Sequence, residues 1–222
     1  MLTVNEFPTI STREGLISLV NEIGFLPFFS CGIKGFSLRD IADPAVWFVD
    51  DVEGPWEWKG ETGGVYGKLF RGKAVFMSPE WYAKLACYRR DGYDYEGMYE
   101  DGFLPHSAMR IMAELEKESV LSTDLRFRTG MTDKEAGFDK VIELLQMKCF
   151  VIPTSFEYTY DTHGRRYGWG LARYTFADKK YGALIEEAEA KYKPAEAKAL
   201  LMERVMAICP GVTEKQAERL IK

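Results

Sequence analysis

The residues best suited to chemistry lie between Trp47 and Tyr66. Here Trp47, Trp56, Trp58 and Tyr66 are interspersed with the carboxylates Asp50, Asp51, Glu53 and Glu57. A carboxyl group among indole rings loses hydration, its pKa rises, and it can serve as a general acid or base. Aromatic rings can also sandwich an extruded base. The plainer reading makes the tryptophans core residues and leaves the acids in solvated turns. Trp56-Glu57-Trp58 reads as a short strand, whose alternation puts Glu57 opposite both indoles and toward solvent or a cleft. Glu57 is therefore the acid to follow. His106 and His163 have no nucleophile or metal partner at a useful spacing. No phosphate-binding loop, dinucleotide fingerprint or esterase elbow is present. Neither a metal nor a cofactor is expected.

A second group of residues could hold phosphate. Residues 62–90 contain six Lys/Arg (Lys68, Arg71, Lys73, Lys84, Arg89, Arg90) and one acid, Glu80, among six aromatic residues. The flanks are acidic: residues 40–57 hold six acids and no base, and residues 91–101 hold five and none. A local basic, aromatic strip is the footprint of a phosphate-facing groove. Further along, Lys134 and Lys140 lie on a helical stretch, and Arg165, Arg166 and Arg173 on the hairpin behind it. If this unit meets duplex DNA, the helix enters the major groove and the hairpin reaches phosphates. Residues 120–175 are barely basic, however, with eight Lys/Arg against seven Asp/Glu. Use of the unit for packing or dimerisation stays open.

These residues must be positioned by elements that the periodicity reveals. Phe138, Val141, Ile142, Leu144 and Leu145 recur at helical spacing, with the helix opening at Asp133 or Lys134. From Cys149 the pattern turns extended and aromatic, polar at 161–165, and extended again over 167–175, which is a long hairpin. Helices are expected at 106–117 and behind Ser122-Thr123-Asp124. Three helices followed by a two-stranded wing make a winged helix-turn-helix. Before it, Ser11 and Glu14 read as a capping box, and residues 25–29 as an irregular apolar lid. Residues 66–70 and 73–77 form a hairpin turning at Arg71-Gly72, and Ser78-Pro79-Glu80 opens a helix. Residues 89–102, rich in glycine and tyrosine, form the connection between two units. The expected fold class is α+β. It comprises an α+β unit over 1–102, the winged helix-turn-helix over 103–176, and closing helices over 177–222.

Composition bounds the class. The chain has 222 residues, 46% hydrophobic and 28% charged, enough for a sizeable core. Neither a membrane-spanning apolar run nor a signal peptide is read in it. Four scattered cysteines make no zinc or disulfide framework and fit a reducing cytoplasm. The net charge of −5 argues against a general polyanion binder.

The segments LPFF, WFVDD, GPWEWKG, YGKLFRGKAVFMS, YRRDGYDY, LLQM and YGWGLARY together resemble the AlkZ-related family of small bacterial proteins. That resemblance implies distant kinship to AlkZ/YcaQ DNA glycosylases, which stack winged-helix units and excise alkylated bases. Their catalytic motif is Gln-apolar-Gln, whose nearest echo here is Gln146-Met147-Lys148, with lysine at the second glutamine position. Gln146 is thus a candidate by resemblance alone. Two functions follow: a DNA-repair-like protein contacting duplex DNA, or a non-enzymatic winged-helix protein binding a partner or small ligand through its aromatic half. The second expects the same charges to be scattered or paired with the acidic flanks.

Overall fold

The computed structural model describes residues 2–47, 54–60, 63–132 and 137–222. Its fold is mixed α+β, built around two small antiparallel sheets. Helix α1 (Arg13–Ile23) is capped by Thr12, whose side chain accepts from the Gly15 N–H, so the cap lies one residue beyond the expected Ser11. Residues expected as an irregular lid instead supply β1 (Phe25–Pro27), which pairs with β3 (Lys73–Met77). Strand β2 (Val65–Phe70) pairs with the other edge of β3, giving the order β1-β3-β2. An all-apolar run carries no alternation, because every residue of β1 is buried. A short α2 (Leu38–Ile41) precedes Trp47.

Trp56-Glu57-Trp58 is not a strand. It belongs to a four-residue helix, α3 (Pro55–Trp58), with proline in the first turn and the Glu57 carboxylate accepting from the Gly54 N–H at 2.9 Å. A segment of about one turn offers too few residues for period 2 to be told from period 3.6. The connection over 89–102 also contains a helix. Beyond α4 (Pro79–Arg90) lies α5 (Tyr95–Glu100), capped by Asp94 accepting from the Gly97 N–H.

The central part runs α6 (His106–Leu115), β4 (Val120–Leu121), α7 (Ser122–Arg128), α8 (Phe138–Met147), β5 (Val151–Tyr160) and β6 (Arg166–Phe176). The described part of the third helix begins at Phe138; the start expected at Asp133 or Lys134 lies outside the described residues. β6 is central in the order β4-β6-β5. Three helices, a short strand paired to the hairpin and the hairpin itself are compatible with a winged helix. Their core gathers Ile111, Leu115, Leu125, Phe138, Leu145 and Phe150.

The chain closes with α9 (Asp178–Lys191), α10 (Pro194–Ile208) and α11 (Glu214–Ile221). Leu201, Val205, Ile208 and Leu220 pack into the amino-terminal core with Phe25, Phe28 and Phe76. Arg89 and Arg90, on α4, tie the parts together. Arg89 donates to the carbonyls of Leu69, Met147 and Ile221 at 3.1, 2.9 and 2.5 Å. Arg90 donates to the Cys149 carbonyl at 2.7 Å and pairs with Asp178. The buried Arg90 and half-buried Arg89 need these acceptors, since a charge withdrawn from water and left unpaired is costly.

Candidate functional site: an aromatic cluster docked on the hairpin

Phe28 is the hub of the aromatic cluster. Its ring lies 5.8 Å from Trp47, 5.3 Å from Trp56, 6.1 Å from Tyr66 and 5.7 Å from Phe76. Trp47 and Trp56 meet edge to face at 5.9 Å. Three of the four expected aromatics therefore converge. Trp58 is buried in the core and lines no part of the opening. Beside the cluster is a cavity of about 330 Å³ lined by Phe29, Arg39, Ala42, Pro44, Trp47 and Trp56. Tyr66 stands behind it, and burial pushes its phenol well above the usual range. Arg39 went unnoticed in the sequence, where nothing sets this residue of a four-residue helix apart. Asp50, Asp51 and Glu53 lie outside the described residues.

Glu57 does not face a solvent cleft. Its Oε1 accepts from Arg166 Nη2 at 2.5 Å, and its side chain is only 15% exposed. Arg166 also covers the Tyr158 ring at 4.3 Å, and the Tyr158 hydroxyl donates to the Trp56 carbonyl at 3.4 Å. Burial, with the Glu57 charge second, raises the Tyr158 phenol pKa. Lys59 lies over Phe156 at 4.3 Å, and burial lowers its ammonium pKa. Residues 54–60 are thus docked on the hairpin through an ion pair and cation–π contacts.

The candidate phosphate contacts have separate fates. Lys68 pairs with Glu143 at 2.7 Å, Arg165 with Asp161 at 3.1 Å, and Arg173 with Glu157 at 2.7 Å. Lys73 donates to the Ser30 carbonyl at 3.0 Å. Arg71 and Lys140 are exposed without an ion pair among the described residues, and Lys134 lies outside them. The strip over residues 62–90 is not a continuous groove. Lys84 is buried against Glu80, and Arg89 and Arg90 hold the interior together. Charge counting could not separate these buried cations from surface ones.

Gln146 is buried, and its Oε1 accepts from the Lys68 N–H at 2.9 Å. It clamps α8 to β2 across 78 residues of sequence. Its carbonyl oxygen is committed to that bond rather than directed toward an open site.

The profile of the family described as AlkZ related matches residues 10–222, nearly the whole chain. The protein belongs to the AlkZ-related family. Neither a curated protein nor a solved structure matches. This AlkZ-related chain has no cluster of metal-ligating side chains among its described residues, and no described helix is long and apolar enough to cross a membrane.

Proposed function

We propose that this AlkZ-related protein binds nucleic acid in a DNA-repair-like role, with the unit over 103–176 facing duplex DNA. The reading rests on family membership and on one feature of the unit. Lys140 on α8 and Arg165 at the hairpin tip both present their charge to solvent, on a helix and a hairpin that follow one another in the chain. The Arg165–Asp161 pair is no obstacle, because an exposed ion pair is worth about 0–1 kcal/mol and yields to phosphate. Arg166 is more firmly held, since its partner Glu57 is largely shielded from water. No bond-breaking step is assigned, as Glu57 and Gln146 are both engaged in holding the fold. Four free thiols support a cytoplasmic location.

A second reading is favoured by the pairing of Lys68, Arg166 and Arg173 with Glu143, Glu57 and Glu157. In it, the cavity at Trp47 and Trp56 takes a small planar ligand and the hairpin is structural. Binding to labelled duplex DNA, measured with Lys140→Ala and Arg165→Ala across a salt series, separates the two. Weakening by salt and by both substitutions supports DNA contact, because each phosphate contact releases counterions. Absence of DNA binding, with quenching of tryptophan fluorescence by planar ligands, supports the second.

A further inference from the structure

We propose that a second cavity, between the β2–β3 turn and α11, binds a phosphomonoester. It has a volume of about 230 Å³. Arg71 on the turn, Lys73 at the start of β3 and Arg219 on α11 converge on it, and no carboxylate lines it. Several other surface cations, among them Lys68, Arg126, Arg128 and Arg173, are paired with acids, while Lys140 is not. Around this cavity Arg71 and Arg219 have no ion pair among the described residues. Lys73 donates to the Ser30 carbonyl, which orients the ammonium without neutralising it.

Three converging positive charges favour a dianion over a monoanionic carboxylate. Two guanidinium forks match the geometry of phosphate oxygens. The buried side chains of Phe70, Val75 and Leu220 form an apolar wall for the body that carries the phosphate. The volume is below the roughly 300–1,000 Å³ of sites for drug-sized ligands, so that body is small. Arg71 stands at φ 52°, a left-handed conformation in which glycine or asparagine is less strained. The chain carries a cation at the cavity rim at that cost. Neither α8 nor the β5–β6 hairpin lines the cavity, so this site is independent of the duplex-binding reading. A free nucleotide and a 5′-phosphorylated strand end present the same group.

The test compares adenosine 5′-monophosphate with adenosine, and a short single-stranded oligonucleotide with and without a 5′-phosphate, on the full chain by calorimetry. Arg219→Ala and Arg71→Gly are the variants; the first is on an exposed helix face and the second relieves a left-handed backbone, so both fold. The expected result is a preference of about tenfold or more for the phosphorylated member of at least one pair, lost in both variants. Preference for the mononucleotide identifies a free ligand, and preference confined to the oligonucleotide identifies a strand end. Absence of preference in both pairs, or a preference that survives in either variant, overturns the proposal.

Discussion

Glu57 and Arg166 stand 109 residues apart in sequence, yet their side chains meet at 2.5 Å and join the tryptophan segment to the hairpin. The carboxylate also receives the Gly54 N–H, so one side chain starts α3 and anchors it. An acid used in this way holds Arg166 back from solution. Glu57→Gln keeps an oxygen for the Gly54 N–H but removes the charge facing Arg166. The substitution is expected to tighten duplex binding and to steepen its dependence on log salt by about one, for one more available cation. The stability loss is about 1 kcal/mol, because the released Arg166, 42% exposed, can be hydrated although Glu57 is only 15% exposed. A titration of DNA affinity against salt checks the slope, and urea unfolding checks the stability.

Removing the Gln146 amide should act on stability alone. In Gln146→Ala the Lys68 N–H loses its acceptor at the α8–β2 contact. Leaving such a group unpaired costs about 1–3 kcal/mol. Urea unfolding should show that loss with an unchanged m-value, while duplex affinity stays at the level of the unaltered protein.

The β2–β3 turn gives opposite expectations at adjacent positions. Arg71 and Gly72 have φ of 52° and 71°. Arg71→Gly relieves a left-handed residue and should leave the melting temperature unchanged or raise it, by up to about 1 kcal/mol of stability. Gly72→Ala should lower it, because alanine is strained at this positive φ; the Glu143 carboxylate that the added Cβ would meet is the end of a flexible side chain and can move aside. Thermal unfolding of the two variants side by side checks both signs.

Alkaline pH should destabilise the fold before it affects the surface. Burial pushes the Cys149 thiol from its ordinary value of 9.0 up to about 11, and Cys149 is fully buried. Its contribution is complete below pH 9, where both folded and unfolded chains keep the proton. Between pH 9 and 11 the unfolded chain alone ionises, so the unfolded state is favoured as pH rises. The loss from this group is up to about 3 kcal/mol across that window. Urea unfolding from pH 8 to 11 should show the fall, and Cys149→Ala should make it shallower without abolishing it, because the Cys209 thiol, pushed by burial to about 12, and the buried Tyr82 phenol act in the same direction.

What the sequence made legible is what local periodicity encodes. The stripe of Phe138, Val141, Ile142 and Leu145 is the buried face of α8, and the aromatic run after Cys149 is the β5–β6 hairpin. The turn at Arg71-Gly72 also lies between paired strands as its residues suggested. Some elements of little more than one period were misread or missed, because a pattern needs repeats to be recognised: α3 has four residues, β1 three and β4 two. The roles of single charges were illegible for another reason. Whether an arginine is buried like Arg90, paired like Arg166 or open at a cavity like Arg219 depends on partners that lie far away in sequence.

The most direct test is the affinity of the full chain for fluorescent duplex DNA between low and physiological salt, repeated with Lys140→Ala and Arg165→Ala. If the helix and hairpin contact duplex DNA, binding weakens linearly in log salt, with a slope reduced by about one in each variant. Absence of binding at low salt, or affinity indifferent to both salt and the two substitutions, would contradict that contact.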